Sequence, residues 1–360
     1  MTDSRTAKYD IGALLPGVGV FGGVRRFLAL GNELVSRGHR FTLYHTNGEP
    51  PNWLPFAGVT RPLAALSAAR HEVLLCGEPS LLAAFEAASA ALKLFYCVLE
   101  KLPNERRLVR HPGWVVLANS TGIRDRLWRR HRVRAEPAIG GVDLDLFRPM
   151  EPRPFTRLEP FRVLAYGRLS RPRKGTALVV RAVESLADSL RKGGAAGGRV
   201  NVQPVQLVLF DHVGPGNERD PRPNLRARVP VEFHVNLAQP GLAQLYSSCD
   251  VFVSAERRAG WNNTVAEAMA CGLPVVCTAS GTRDLAVHLE TAWLARWRQP
   301  FFLTRGLSAL HRDPALRGRL RAAALARVQG FGWPAVADQI EAVIRSRLDP
   351  SRSRPESPTG

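Results

Sequence analysis

Two stretches of this chain place glycines and helix-starting residues where a phosphate could be held. The first is a G-x-G-x-x-G pattern, Gly17, Gly19 and Gly22, lying after an apolar strand and before a helical run. Such a turn suits a dinucleotide-binding domain, but that reading also needs an acidic residue about 20 positions on, at the end of the second strand, to hold a ribose. The second strand here ends Leu43-Tyr44-His45-Thr46-Asn47, without a carboxylate. A second reading is a glycine turn, Gly22-Gly23-Val24, that brings helix N-terminal N–H groups close to a phosphate; a third is a turn that only joins strand to helix.

The second stretch is longer. Residues 250–276 read in turn as a buried strand, a polar loop, a short helix of small residues, a Gly-Pro turn and another buried strand. In a parallel sheet this puts a helix N-terminus at the carboxyl edge, where ligands bind. Free N–H groups of Asn263, Thr264 and Val265 would hold a diphosphate there, and Glu267, one turn in, would accept from ribose hydroxyls. The competing reading is a capping box, Thr264-x-x-Glu267, in which Glu267 only closes its own helix. The residues alone leave the two equal. Asp143-x-Asp145 resembles a metal-binding pair but sits in a Gly-Val-Asp connection, and no metal is expected there.

The elements that must position these residues alternate strand and helix, which predicts two α/β halves with parallel sheets covered on both faces. Strands are expected at 9–15, 40–45, 72–76, 92–98 and 114–118, then at 161–166, 205–210, 231–235, 251–254 and 274–278. The helix over 24–37 has Phe27, Leu28, Leu30, Leu34 and Val35 on one face and Gly38 at its end. The proline-studded segment 148–154 is expected to link the halves, 193–198 to form a glycine loop, and 351–360 to be a disordered tail. At 360 residues the chain is long enough for two such domains.

Composition narrows the class. An apolar share of 45% with 22% charged residues belongs to a folded globular protein. The five cysteines, Cys76, Cys97, Cys249, Cys271 and Cys277, are scattered and mostly within apolar runs, as buried reduced thiols would be. With no signal-peptide core and no membrane-length apolar run, a cytoplasmic location is expected. The net charge of +19 rests on arginine spread along the chain, only five cations being lysines, and no nucleic-acid motif accompanies it. Nucleic acid is therefore not an expected partner. One local concentration stands out: Arg124, Arg126, Arg129, Arg130, Arg132 and Arg134 surround Ile123, Leu127 and Trp128. It reads either as a basic interfacial helix drawn to anionic lipid or as an exposed arginine face.

The 250–276 stretch resembles the donor-site signature of retaining GT-B glycosyltransferases of the large GT4-like group, and the likeness extends over most of the chain. Gly22-Gly23-Val24, Ala118-Asn119-Ser120-Thr121, residues 141–149, Gly167-Arg168-Leu169 through Lys174-Gly175, and Phe331-Gly332-Trp333 follow the family's motifs in order. The resemblance implies two Rossmann-like domains facing a central cleft. Residues 1–150 would form the acceptor side and 151–350 the nucleotide-sugar side, with a terminal helix at about 333–347 returning to the first domain. It implies transfer of a sugar, with retention and without a cofactor or metal, from a nucleotide diphosphate sugar to a glycan, lipid-linked sugar or small glycoside. The setting would be cell-envelope polysaccharide synthesis in the cytoplasm or at the inner face of the membrane.

By the same resemblance Arg168 and Lys174 would stabilise charge on the departing nucleotide. Gly22, Gly23, Asn262, Asn263, Thr264, Val265 and Glu267 would line the donor. The first glutamate of the family's E-x7-E motif falls at position 259, where this chain has Ala259; Glu256, three residues earlier, is the carboxylate that would reach in. Many relatives carry a histidine after the strand at 92–98, where Glu100 stands instead, on the acceptor side. The alanine at 259 also motivates two rivals, a catalytically silent GT-B scaffold and a nucleotide-sugar epimerase.

Overall fold

The computed structural model describes residues 7–150, 159–196, 203–214 and 220–349, and the chain divides into two compact units, 1–141 with 333–360, and 142–332. In the first unit, β1 (Asp10–Leu14), β2 (Arg40–His45), β3 (Val59–Pro62), β4 (Arg70–Cys76), β5 (Ser89–Cys97), β6 (Val115–Ala118) and β7 (Glu136–Pro137) form one sheet in the order β3-β2-β1-β4-β5-β6-β7. Every pairing is parallel. Strands β1, β4 and β5 end in unbroken buried runs, 11–14, 73–76 and 94–97, because both faces of the sheet are covered there. Helices α1 (Gly22–Ser36), α2 (Leu82–Ala87), α3 (Glu105–Val109) and α4 (Thr121–His131) connect the strands. Helix α1 buries Val24, Phe27, Leu28, Leu30 and Leu34, and Gly38, at φ +88°, ends it with its N–H on the Val35 carbonyl.

The second unit holds β8 (Phe161–Tyr166), β9 (Val205–Asp211), β10 (Val231–Val235), β11 (Val251–Ser254), β12 (Val275–Cys277) and β13 (Trp293–Leu294), in the order β10-β9-β8-β11-β12-β13 and again parallel. Strand order reverses between β8 and β11, the kind of switch point at which open α/β sheets take ligands. Its helices are α5 (Thr176–Ala196), α6 (Gln239–Ser247), α7 (Asn263–Ala270), α8 (Pro300–Arg312) and α9 (Pro314–Val328). Phe161, Val163, Val183, Leu207, Val253, Leu307 and Leu320 fill the core.

The last helix, α10 (Trp333–Leu348), belongs to the first unit. Val336, Ile340 and Ile344 enter its core. Gln339 exchanges both amide hydrogen bonds with the Ile139 backbone, at 2.9 and 3.1 Å. His39 and Arg37 hold Glu341 at 2.9 and 3.2 Å.

Sequence expectations change at two places in the fold, the first being the seam between the units, which falls at 141/142 where 150/151 was expected. The glycine loop at 193–198 is helix as far as Ala196, with Gly193 and Gly194 in the last turn of α5, where a helix end tolerates them; residues 197 and 198 lie outside the described residues. The prolines at 152 and 154 and the tail from 351 also lie outside them. No helix is long and apolar enough to cross a membrane among the described residues.

Candidate functional site

At the carboxyl end of β11 the chain turns through residues 255–261 into α7, and the cap of that helix is Asn262. Its Oδ1 accepts from the N–H of Val265 (3.3 Å) and from the Thr264 hydroxyl (3.0 Å). Its Nδ2 donates to Ser254 Oγ (3.1 Å), and its own N–H donates to the Gly281 carbonyl (2.9 Å). The buried asparagine thus fastens the start of α7 to the end of β11. This corrects the capping-box reading: Thr264 lies inside the helix, and Glu267 turns away from its own N-terminus to accept from the Tyr246 hydroxyl of α6 (3.0 Å). The Val265 N–H is already engaged by the cap. Those of Asn263 and Thr264 carry no partner among the described residues, so two amides remain at the positive end of the helix.

The cationic loop after β8 is pinned to the same place. A single 3-10 turn, Pro172–Lys174, ends at Gly175, whose φ is +79°. A Cβ at Gly175 would lie 2.3 Å from the Ala255 carbonyl oxygen, so only glycine lets the loop come this close to the end of β11. The Arg257 N–H donates to the Arg173 carbonyl (2.9 Å). Arg298 clamps both segments, donating to Ala255 (2.7 Å) and to Pro172 (2.9 Å). Burial and the neighbouring Arg257 pull its guanidinium below the ordinary value. Lys174 Nζ meets Glu256 Oε1 at 2.5 Å and lies 5.4 Å from the centre of the Tyr166 ring. The structure therefore brings Lys174, Glu256, Asn262 and the amide end of α7 onto one short segment, residues 254–256.

Arg168 takes another direction. It is buried, and its Nη1 donates to Tyr166 Oη (3.1 Å), the His212 carbonyl (2.9 Å) and Asp211 Oδ1 (3.5 Å) at the end of β9. Burial and then Asp211 push the Tyr166 phenol well above its ordinary value, so it stays a neutral donor and acceptor between the two cations. At position 259, the Ala259 N–H donates to Ser280 Oγ (2.9 Å), and a Cβ on Gly281 would lie 2.7 Å from the Ala259 methyl. The 280–281 turn closes directly over this residue.

In the first unit, Gly22 and Gly23 open α1, which has no side-chain cap, and a Cβ on Gly23 would meet nothing within 4 Å. Packing in this structure does not require that glycine. Glu100, just beyond β5, keeps Oε2 buried without a partner. Asn119, at the end of β6, donates to the Val98 carbonyl (3.2 Å) and leaves its own buried Oδ1 unpaired. Two unsatisfied acceptors thus share the carboxyl edge of neighbouring strands, and sequence reasoning singled out only the first. Asp143 caps a turn, its Oδ1 accepting from the Leu146 N–H (3.0 Å). The arginines on and just after α4 divide: Arg126 turns onto Glu105 (2.5 Å), while Arg132 and Arg134, beyond the helix end, lie over the exposed Trp128 ring at 5.6 and 5.1 Å.

Tyr246, Asp211, Arg298 and the 280–281 turn were missed by sequence reasoning. None carries a local signal, since each acts through a partner more than 20 residues away.

Comparison with known proteins gives a consistent result. Residues 160–313 match the family model described as glycosyl transferases group 1. The D-inositol 3-phosphate glycosyltransferase 1 of Catenulispora acidiphila is 31% identical over 231 residues, covering 60% of this chain and 52% of that protein. The D-inositol 3-phosphate glycosyltransferase of Frankia alni is 31% identical over 229 residues, 61% and 54% of the two chains. The chain spans about half the length of these curated relatives. Among solved structures, a Rickettsia africae glycosyltransferase superposes with a TM-score of 0.71 at 16% identity, covering 95% of this chain and 99% of that one. Anabaena HepE in complex with UDP-glucose gives 0.70 at 16% identity, over 94% and 100%. At these identities the structural likeness establishes the fold.

Proposed function

We propose, for a chain that belongs to the group 1 glycosyltransferases and has their GT-B fold, that it transfers a sugar from a nucleotide diphosphate sugar to a hydroxyl-bearing acceptor. The observation that carries this reading is the shared anchorage of Lys174 and the amide end of α7 on residues 254–256. The anomeric C–O bond of the donor breaks, the electron pair leaves with the nucleoside diphosphate, and the acceptor oxygen forms the new bond as it loses its proton. Charge builds on the departing phosphate, where Lys174 and the N–H groups of Asn263 and Thr264 stabilise it. Arg168 joins them by exchanging its Tyr166 and His212 contacts for phosphate oxygens. This set of cations and amides is our reason for a metal-independent reaction, and retention follows the family resemblance. Glu267, held by Tyr246, takes the ribose hydroxyls, and Gly22 and Gly23 leave room for the ligand at the start of α1.

The acceptor is a glycan, lipid-linked sugar or small glycoside. The unsatisfied Glu100 Oε2 and Asn119 Oδ1 favour donors such as sugar hydroxyls at the carboxyl edge of β5 and β6. Trp128, exposed among arginines on α4, supports peripheral contact with anionic lipid at the inner face of a membrane, in the setting of cell-envelope polysaccharide synthesis. Ala259 favours a second reading, a silent scaffold or an epimerase, because the carboxylate of the family motif is missing there.

Thermal-shift screening against UDP-, GDP-, ADP- and TDP-sugars, repeated on Lys174→Ala and Glu267→Ala, tests the site. Stabilisation by one nucleotide sugar that both variants lose is the expected result. Equal responses of all three proteins remove the site. Donor consumption without an acceptor selects the epimerase, and binding without turnover selects the scaffold.

A further inference from the structure

A separate feature of the first unit points to a second ligand. The connection from β5 into α3, together with the last turn of α4, encloses an open cavity of about 820 Å³. Five of its lining residues are cations: Lys101, Arg106, Arg107, Arg110 and Arg130. All five are solvent-exposed, and none has an ion-pair partner among the described residues. Arg110 is tethered by its Nε to the His131 carbonyl (2.9 Å), which fixes one guanidinium at the rim. The one carboxylate in the wall is Glu105, so five cations against one anion leave the lining at +4 with His131 neutral.

Glu105 does not neutralise them. Its Oε2 is taken by Arg126 Nη1 (2.5 Å) and His131 Nε2 (2.9 Å). Arg126, behind the cavity wall, keeps Nε and Nη2 buried and without a partner, as Glu105 keeps its Oε1. Clustered cations without carboxylate partners repel one another, so this arrangement calls for an anion that meets several of them at once. The fork geometry of arginine suits phosphate oxygens. We propose that this cavity binds a ligand carrying two or more clustered phosphate groups, held by Arg106, Arg107, Arg110 and Arg130 with Lys101 at the edge. The cavity lies in the first unit, and its lining shares no residue with the proposed donor site.

Inorganic tripolyphosphate is the probe, titrated calorimetrically into the full chain carrying Lys174→Ala, which weakens binding at the donor site so that the cavity variants are read against a reduced background. Saturable one-to-one binding is expected, weakened by about tenfold or more in Arg106→Gln/Arg107→Gln. A control pair that removes the same charge from the second unit, Arg312→Gln/Arg319→Gln, should change it by less than about twofold. The two cavity arginines have no ion pair to lose, so an unchanged melting temperature is expected; Arg130→Gln reads the same site if the pair fails to fold. Co-sedimentation with cardiolipin-doped phosphatidylcholine vesicles separates the sources. Vesicle binding that tripolyphosphate displaces and the cavity variant loses assigns a lipid headgroup, and tripolyphosphate binding without it assigns a free polyphosphate. Equal weakening by the control pair, or no saturable binding of either probe, overturns the proposal.

Discussion

The ion pair between Lys174 and Glu256 makes an unusual demand on the donor site: removing a negative charge there should tighten anion binding through one particular cation. Lys174 Nζ and Glu256 Oε1 are 2.5 Å apart, with side chains 22% and 8% exposed. Two unit charges about 4 Å apart are worth roughly 4 kcal/mol at an effective dielectric constant near 20. The partly exposed lysine brings the net worth of the pair down to roughly 1–2 kcal/mol. An incoming diphosphate must share the ammonium with Glu256. Glu256→Gln keeps the shape and removes the rival, so a nucleoside diphosphate should bind about five- to tenfold more tightly, or about 1–1.4 kcal/mol. Lys174→Ala should weaken it by about tenfold or more. The double variant is the decisive one: without Lys174, Glu256→Gln should gain only the small benefit of lost repulsion, under about 0.5 kcal/mol. Isothermal titration of the three variants and the parent with one nucleoside diphosphate measures this coupling directly. If Glu256→Gln has the same effect with and without Lys174, the ammonium does not meet the phosphate and the proposed leaving-group role is wrong.

Four further outcomes follow from the structure. Gly175→Ala places a methyl 2.3 Å from the Ala255 oxygen at a φ of +79°; left-handed strain and overpacking together should destabilise the second unit by about 2–5 kcal/mol in chemical denaturation. Gly193→Ala, in open space on α5, should be neutral or stabilising by up to about 1 kcal/mol. Tyr246→Phe removes the hydrogen bond to buried Glu267, and nucleoside diphosphate affinity should fall by about three- to tenfold in the same titration if Glu267 holds the ribose; unchanged affinity would take Glu267 out of the site. Burial pushes the Glu105 carboxyl up, but Arg126 and His131 hold it net below the ordinary range. A depressed carboxylate stabilises the fold above its unfolded pKa of about 4.3 and loses that contribution as pH falls through its folded value. The stability gap between the parent and Glu105→Gln should therefore be full at neutral pH and shrink in acid below about pH 4, as read by denaturant titration.

Much of the scaffold was legible because it depends on local pattern. Strands β2, β8, β10 and β11 were read to the residue, each an apolar or β-branched run between turn signals. β3, β7 and β13 were not, because edge strands of two to four residues, one ending in Pro62 and another in Pro137, carry no period to detect. At the site, sequence located the start of α7 but not its cap. Asn262 and Thr264 both have capping side chains, and the choice is made by Ser254 Oγ and the Gly281 carbonyl, which hold Asn262 in place. Pairings across the fold were equally hidden. Glu256 reaches a lysine 82 residues earlier, and Arg168 reaches Asp211, 43 residues later.

These pairings bear on what Ala259 changes. In this structure each cation proposed for the donor pocket is paired internally: Lys174 with Glu256, Arg168 with Asp211. The amides of Asn263 and Thr264 are the groups left open among those proposed for the diphosphate, so an arriving anion meets them first and then competes for the cations. A carboxylate at 259 would add a negative charge to the 255–261 connection, which carries Glu256 and leads into α7, and would oppose a diphosphate held there. Its replacement by a methyl group, packed under the 280–281 turn, leaves this wall more positive, with Arg257 and Arg258 exposed at its rim. Loss of that carboxylate therefore removes a contact from whatever the sugar touches while favouring the hold on the diphosphate. If the proposed transfer holds, Ala259 should change which sugar is carried, while nucleotide affinity stays level or rises.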